Sequence, residues 1–104
     1  MGRAEEFDWR AQGMDYLEIA ARGGGILSTV QHVRATDPED LFDTVCTHLR
    51  RMRRHGTTSM EGKSGYGLST QDELKSLQVL AQAGAAVGME VFPTFLGAHM
   101  FPLE

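Results

Sequence analysis

Thr57-Thr58-Ser59-Met60-Glu61-Gly62-Lys63-Ser64-Gly65-Tyr66-Gly67-Leu68 reads as a strand that runs out into a glycine-hinged loop carrying one tyrosine. The threonines suit a pleated surface. Glycine on both sides of Tyr66 lets the loop approach a ligand closely and aim the phenol inward. One helix later, Val91-Phe92-Pro93-Thr94-Phe95-Leu96-Gly97-Ala98-His99 reads as a second strand ending on a histidine. The succession helix, strand, helix, strand predicts an α/β unit of parallel strands with a right-handed crossover. Parallel strands end on the same side of their sheet, so Tyr66 and His99 are expected to converge on one ligand.

The helix between the strands starts at Ser69 or Thr70, since Ser69 with Asp72 and Thr70 with Glu73 both have capping-box spacing. Leu74, Leu77, Leu80, Ala81 and Val87 supply its apolar face, and Gly88 is its expected C-cap. The helix before the first strand opens on Asp37 as N-cap, with Pro38 in the first helical position and Glu39 and Asp40 at the positive end of the dipole. Leu41, Val45, Cys46, Leu49 and Met52 share one face. Arg50, Arg51, Arg53, Arg54 and His55 crowd the C-terminal end, where cations are favoured, and Gly56 closes it. Residues 4–12 form a weak helix with Phe7 and Trp9 as its bulky members, ended by Gly13. Asp15 caps a short helix over 16–22, with Leu17, Ala20 and Ala21 turned inward. Gly23-Gly24-Gly25 breaks it, and 26–36 reads as a strand-like start running into a helical turn.

At 104 residues the chain makes one small domain, burying only about 60–65% of its unfolded surface. Hydrophobic content of 41% and charged content of 23% are ordinary for a globular protein. A net charge of −4 argues against nucleic acid as a partner. The one cysteine, Cys46, excludes an internal disulfide and a cysteine-rich zinc cluster, and fits a reducing, cytoplasmic setting. No apolar run approaches the roughly 20 residues of a membrane span, and Met1-Gly2-Arg3-Ala4-Glu5-Glu6 has no apolar signal core. Two strands cannot close a sheet. Each leaves an unpaired edge and an uncovered face, so the chain reads as a slice of something larger.

Each candidate residue has a plain structural alternative. Tyr66 could simply cover a strand end. His99 could donate to a carbonyl oxygen as it gains charge or ligate a metal, against a histidine satisfied by backbone. Glu61 and Lys63 share a strand face and read as an ion pair. The glycine triplet matches no phosphate-loop pattern. His32, His48 and His55 have no ligand spacing, and Cys46 lies on an apolar helix face, as core.

Across almost the whole chain, the residues resemble those of imidazolonepropionase, in the amidohydrolase superfamily. The shared stretches are Arg3 with Glu6-Phe7, Tyr16-Leu17-Glu18-Ile19, Gly23-Gly24-Gly25-Ile26-Leu27-Ser28-Thr29-Val30, Arg34-Ala35, Gly56-Thr57-Thr58, Glu61, Lys63-Ser64-Gly65-Tyr66-Gly67-Leu68, Glu73-Leu74-Lys75, and Thr94-Phe95-Leu96-Gly97-Ala98-His99 with Pro102. The resemblance implies a partial (β/α)₈ TIM-barrel segment, so that 1–104 is an incomplete amidohydrolase barrel domain corresponding to the N-terminal-central part of that enzyme. It implies hydrolysis of the ring amide of 4-imidazolone-5-propanoate to N-formimidoyl-glutamate, a step of histidine degradation. Arg3 and Tyr16 match positions that hold the substrate's propionate carboxylate. A planar guanidinium fork suits that group. Tyr66 matches a substrate-contacting tyrosine and His99 a catalytic and substrate-binding histidine at the ring carbonyl.

The departures are as informative. The family's H-x-H metal pair would precede Arg3, where this chain has Met1-Gly2, and the later metal ligands and a substrate glutamate would follow Glu104. The complete protein is thus expected to use Zn or Fe, while this chain alone binds neither and is inactive, because without a metal no water is activated at neutral pH. Gly62 stands where the family has an apolar residue, which is expected to loosen the packing. Val33 replaces a threonine, and Asp15 a serine. If the Glu61–Lys63 face lines a barrel interior, both side chains are expected to be buried. The partner is a small carboxylate-bearing substrate, and a homodimer is among the assemblies open to the complete protein. Two other readings stand beside this one: another metal-dependent cyclic-amide hydrolase, and a non-enzymatic remnant or interaction module.

Overall fold

A computed structural model describes residues 3–101. The Met1-Gly2 departure and the Pro102 match lie outside that range. The elements run α1 (Ala4–Ala11), α2 (Tyr16–Ala21), α3 (Ile26–Ala35), α4 (Pro38–Arg54), β1 (Ser59–Lys63), α5 (Thr70–Val87) and β2 (Glu90–Thr94). β1 and β2 pair in parallel, from Ser59 opposite Glu90 to Lys63 opposite Thr94. The α/β order and the parallel pairing are as the sequence implies.

Alternation along the strands sorts their side chains onto two faces. Met60 and Val91 turn towards the helices and pack on a core of Cys46, Leu49, Ala83, Val87 and Met89. That core joins α4 and α5 to the inner face of the sheet. Two glycines let α5 settle onto the strands. A Cβ on Gly84 would lie 2.8 Å from Val91 Cγ2, and one on Gly62 would lie 2.9 Å from Leu80 Cδ2. Gly62 therefore does not loosen the packing; Leu80 occupies the space. On the other face Glu61, Lys63 and Phe92 are open to solvent.

The helix ends follow local chemistry. Ser69 Oγ accepts from the Asp72 amide at 3.1 Å and donates to Asp72 Oδ2 at 2.7 Å. Gly88 closes α5 in the left-handed conformation, at φ 70° and ψ 41°. Pro38 starts α4, with Asp37 at the N-cap position but no side-chain bond from it. Asp15 and Glu18 form a full capping box on α2, so the aspartate does the serine's work there.

Three sequence expectations are corrected. The segment 26–36 is helical from its first residue, without a strand-like start. Its last carbonyls are capped from a distant helix: Lys75 Nζ donates to Val33, Arg34 and Thr36 oxygens at 2.7, 3.3 and 3.2 Å. In α5 the buried stripe is Val79, Ala83 and Val87, at helical spacing, while Leu74 and Ala81 face solvent. In α2 the inward residue is Ile19, not Leu17 or Ala21, since the chain turns back over it and the Gly24 amide bonds its carbonyl. No helix among the described residues is long and apolar enough to cross a membrane.

Candidate functional site

The strand tips are stitched together beyond the sheet. The Ser64 amide donates to the Thr94 carbonyl at 3.0 Å, which carries the ladder one step past β1. The Ser64 hydroxyl then accepts from the Leu96 amide, also at 3.0 Å. The chain after β2 turns back, with the His99 amide on the Leu96 carbonyl at 3.2 Å. Gly65 lies between the two exit loops at φ +108°. A Cβ there would come within 2.9 Å of the Leu96 oxygen and 3.0 Å of His99 Cβ, so only glycine fits. The result is an edge-to-face contact of Tyr66 and His99, with ring centroids 5.3 Å apart and planes at 67°. The two side chains meet at neighbouring strand ends, as their positions in the sequence suggest.

Glu73, on the first turns of α5, holds the glycine loop. Its Oε2 accepts from the Gly65 amide at 2.7 Å, and its Oε1 accepts from Gly67 and Leu68 at 2.8 and 2.9 Å. Burial alone would raise the pKa of this acid, but the bonds from Ser64, Leu68, Gly67 and Gly65 outweigh that and hold it below the ordinary 4.5. Glu73 therefore does not pair with Thr70 in a capping box; its carboxylate is committed to the loop. Across the loop, Arg34 Nε donates to the Gly67 carbonyl at 2.6 Å. The spacing of Glu73 from the glycines carries no sign of this role in one dimension.

Arg3 and Tyr16 each approach Gly25. Arg3 Nη2 donates to the Gly25 carbonyl at 2.8 Å and to Thr29 Oγ1 at 2.5 Å. The Tyr16 hydroxyl lies 3.7 Å from where a Gly25 Cβ would be. This pair sits at the start of α3, whereas Arg34, near its end, reaches the glycine loop. Nine residues of helix separate 25 from 34, about 13 Å at 1.5 Å per residue.

Glu61 and Lys63 pair at 3.3 Å, as their shared face implies, but both are about half exposed rather than buried. The bond from Thr94 Oγ1, with help from Lys63, keeps the Glu61 carboxyl below its ordinary range. A concavity of about 730 Å³ lies between the start of α4 and α5, lined by Arg34, Asp37, Asp72, Lys75 and Gln78 among others. It includes neither Tyr66 nor His99, and its Lys75 ammonium is already engaged by carbonyls and by Asp72 at 3.1 Å. Tyr66 and His99 converge instead at the strand tips.

No family model matches the chain. Among curated proteins it is 49% identical over 102 residues to the imidazolonepropionase of Syntrophobacter fumaroxidans, covering 98% of this chain and 24% of that protein. Against the imidazolonepropionase of Rubrobacter xylanophilus the identity is 51% over 102 residues, 98% of this chain and 25% of the relative. The chain resembles imidazolonepropionases over almost its entire length. That of Haloarcula marismortui is 48% identical over 100 residues, 96% of this chain and 24% of the relative. The chain thus spans about a quarter of the length of these imidazolonepropionases.

No three His, Cys, Asp or Glu side chains among the described residues come together, and His99 stands edge-to-face with a phenol.

Proposed function

We propose that this chain supplies one part of the substrate pocket of an imidazolonepropionase, a hydrolase of histidine degradation that opens the ring amide of 4-imidazolone-5-propanoate to N-formimidoyl-glutamate. The observation that carries this reading is the Tyr66–His99 contact at two parallel strand tips, within a chain about half identical to such enzymes. In this reading the imidazole N–H of His99 donates to the ring carbonyl oxygen as that oxygen takes negative charge. Tyr66 orients the ring by its phenol. The propionate carboxylate lies at Arg3 and Tyr16. Arg3 commits Nη2 to Gly25 and Thr29 and sets Nε 3.9 Å from Glu6 Oε1, and the Nη1 donors of its five N–H groups are left for a carboxylate. The barrel would be a (β/α)₈ barrel, completed by polypeptide beyond this chain. The Zn or Fe that the family implies would be held by residues outside 3–101.

Exchanging this chain for the matching quarter of the Rubrobacter xylanophilus relative tests the reading. The hybrid is expected to hydrolyse 4-imidazolone-5-propanoate. In it, His99→Ala is expected to lower kcat by about 10²–10³-fold, the usual effect of removing one donor to a developing oxyanion. A folded hybrid without turnover, or one indifferent to His99→Ala, overturns the proposal. The 104-residue chain alone, given the same substrate with Zn²⁺ or Fe²⁺, is expected to show none.

A further inference from the structure

The glycine loop does not hold its own shape. Gly65 stands at φ +108° and Leu68, a branched residue, at φ +56°. Such a loop persists only where its surroundings fix it. Here the surroundings converge on one group, the buried Glu73 carboxylate, 3% exposed. A carboxylate taken from water must have its lone pairs answered, and Glu73 has them answered by the amides of Gly65, Gly67 and Leu68.

Ser64, next to Gly65 in the chain, reaches the second strand: its hydroxyl accepts from Leu96 N at 3.0 Å. Leu96 O in turn accepts from the His99 amide. Glu73 is therefore tied by its amide bonds to the loop that carries Tyr66, and through Gly65 and its neighbour Ser64 to the turn that carries His99. We infer that Glu73, with Ser64 as its relay, is the positioning residue that sets Tyr66 and His99 against each other. Its catalytic meaning rests on the function proposed above; the geometric claim does not.

The two oxygens have separate work. Oε2 serves Gly65, the residue that abuts His99, and Oε1 serves Gly67 and Leu68. Glu73→Gln has nearly the same shape but one acceptor oxygen, so an amide NH₂ must face a backbone N–H on one side. Ser64→Ala leaves the carboxylate and its amide bonds in place and cuts only the relay to Leu96.

Nuclear magnetic resonance of the 104-residue chain reads this without turnover, so failure of the hydrolase reading and failure of this one are separable. In the unsubstituted chain, slow exchange is expected at the Gly65, Gly67 and Leu68 amides, with cross-peaks between the Tyr66 and His99 ring protons. In Glu73→Gln, exchange of at least one of these amides is expected to quicken by about tenfold or more, as for loss of a hydrogen bond to a charged acceptor. The ring cross-peaks should vanish while the Leu49 and Val79 methyl resonances stay in place. In Ser64→Ala the three loop amides should stay slow, the Leu96 amide should quicken, and the ring cross-peaks should weaken. Ring contact unchanged in a folded Glu73→Gln chain overturns the inference, as do loop amides already fast in the unsubstituted chain. Should Glu73→Gln disturb the core methyls, Ser64→Ala decides, and ring cross-peaks at full strength in it overturn the inference.

Discussion

Gly65 is the residue on which the strand-tip arrangement depends most directly. Any side chain there meets the Leu96 carbonyl and His99 at about 3 Å, at a φ that L residues rarely adopt. Gly65→Ala is expected to cost about 1–3 kcal/mol in urea unfolding and to shift the His99 ring resonances. Glu73 gives a pH dependence. Its pKa is held below 4.5 in the folded chain, as that of Asp72 is below 3.8, where bonds from Ser69 and Lys75 outweigh burial. The stability they contribute is fully present above those ordinary values and is lost as pH falls through the lower folded ones. The urea midpoint is therefore expected to fall on going from neutral pH to about 3, with a shallower fall in Glu73→Gln. The meeting of Tyr66 and His99 was legible in the sequence because both follow the ends of parallel strands. Glu73 was not, because its partners are backbone amides, which every residue has and no sequence pattern displays.

At the scale of elements, the strands and α4 were readable from caps and periodicity, while α3 was not. The end of α3 is held by Lys75 from α5, 41 residues further along for Arg34 O, and a cap of that range leaves no local trace. Lys75→Met keeps much of the stem and removes the donor. It is expected to lower stability by about 1–3 kcal/mol in thermal unfolding and to speed amide exchange in the last turn of α3, with the α4 amides unchanged. The inward face of α5 was misjudged for a related reason. Leu74 and Ala81 are apolar, but contact with α4 and the strands selects the line through Val79, Ala83 and Val87. Apolar identity marks which residues can be buried, and neighbouring elements choose among them.

Over the whole molecule, the mass is spread. The radius of gyration is 15.0 Å, against about 13 Å for a compact chain of 100 residues. The main core joins α4, α5 and the inner sheet face, while Phe92, Phe95 and Phe101 stay 55%, 67% and 92% exposed. Hydrogen exchange is accordingly expected to be slowest around Leu49 and Ala83 and fastest in α1 and α2; uniform protection along the chain would contradict this partition. The order of elements was legible from the sequence. The uneven distribution of burial was not, because it depends on which faces find a partner. One consequence concerns the glycine loop. Its convergent N–H groups would otherwise form a nest for anions, but the chain has filled that nest with its own counter-ion. Acetate or phosphate added to the solvent therefore has no purchase there. In the function proposed above, the negative tail of the substrate therefore has to find the guanidinium of Arg3 rather than this loop.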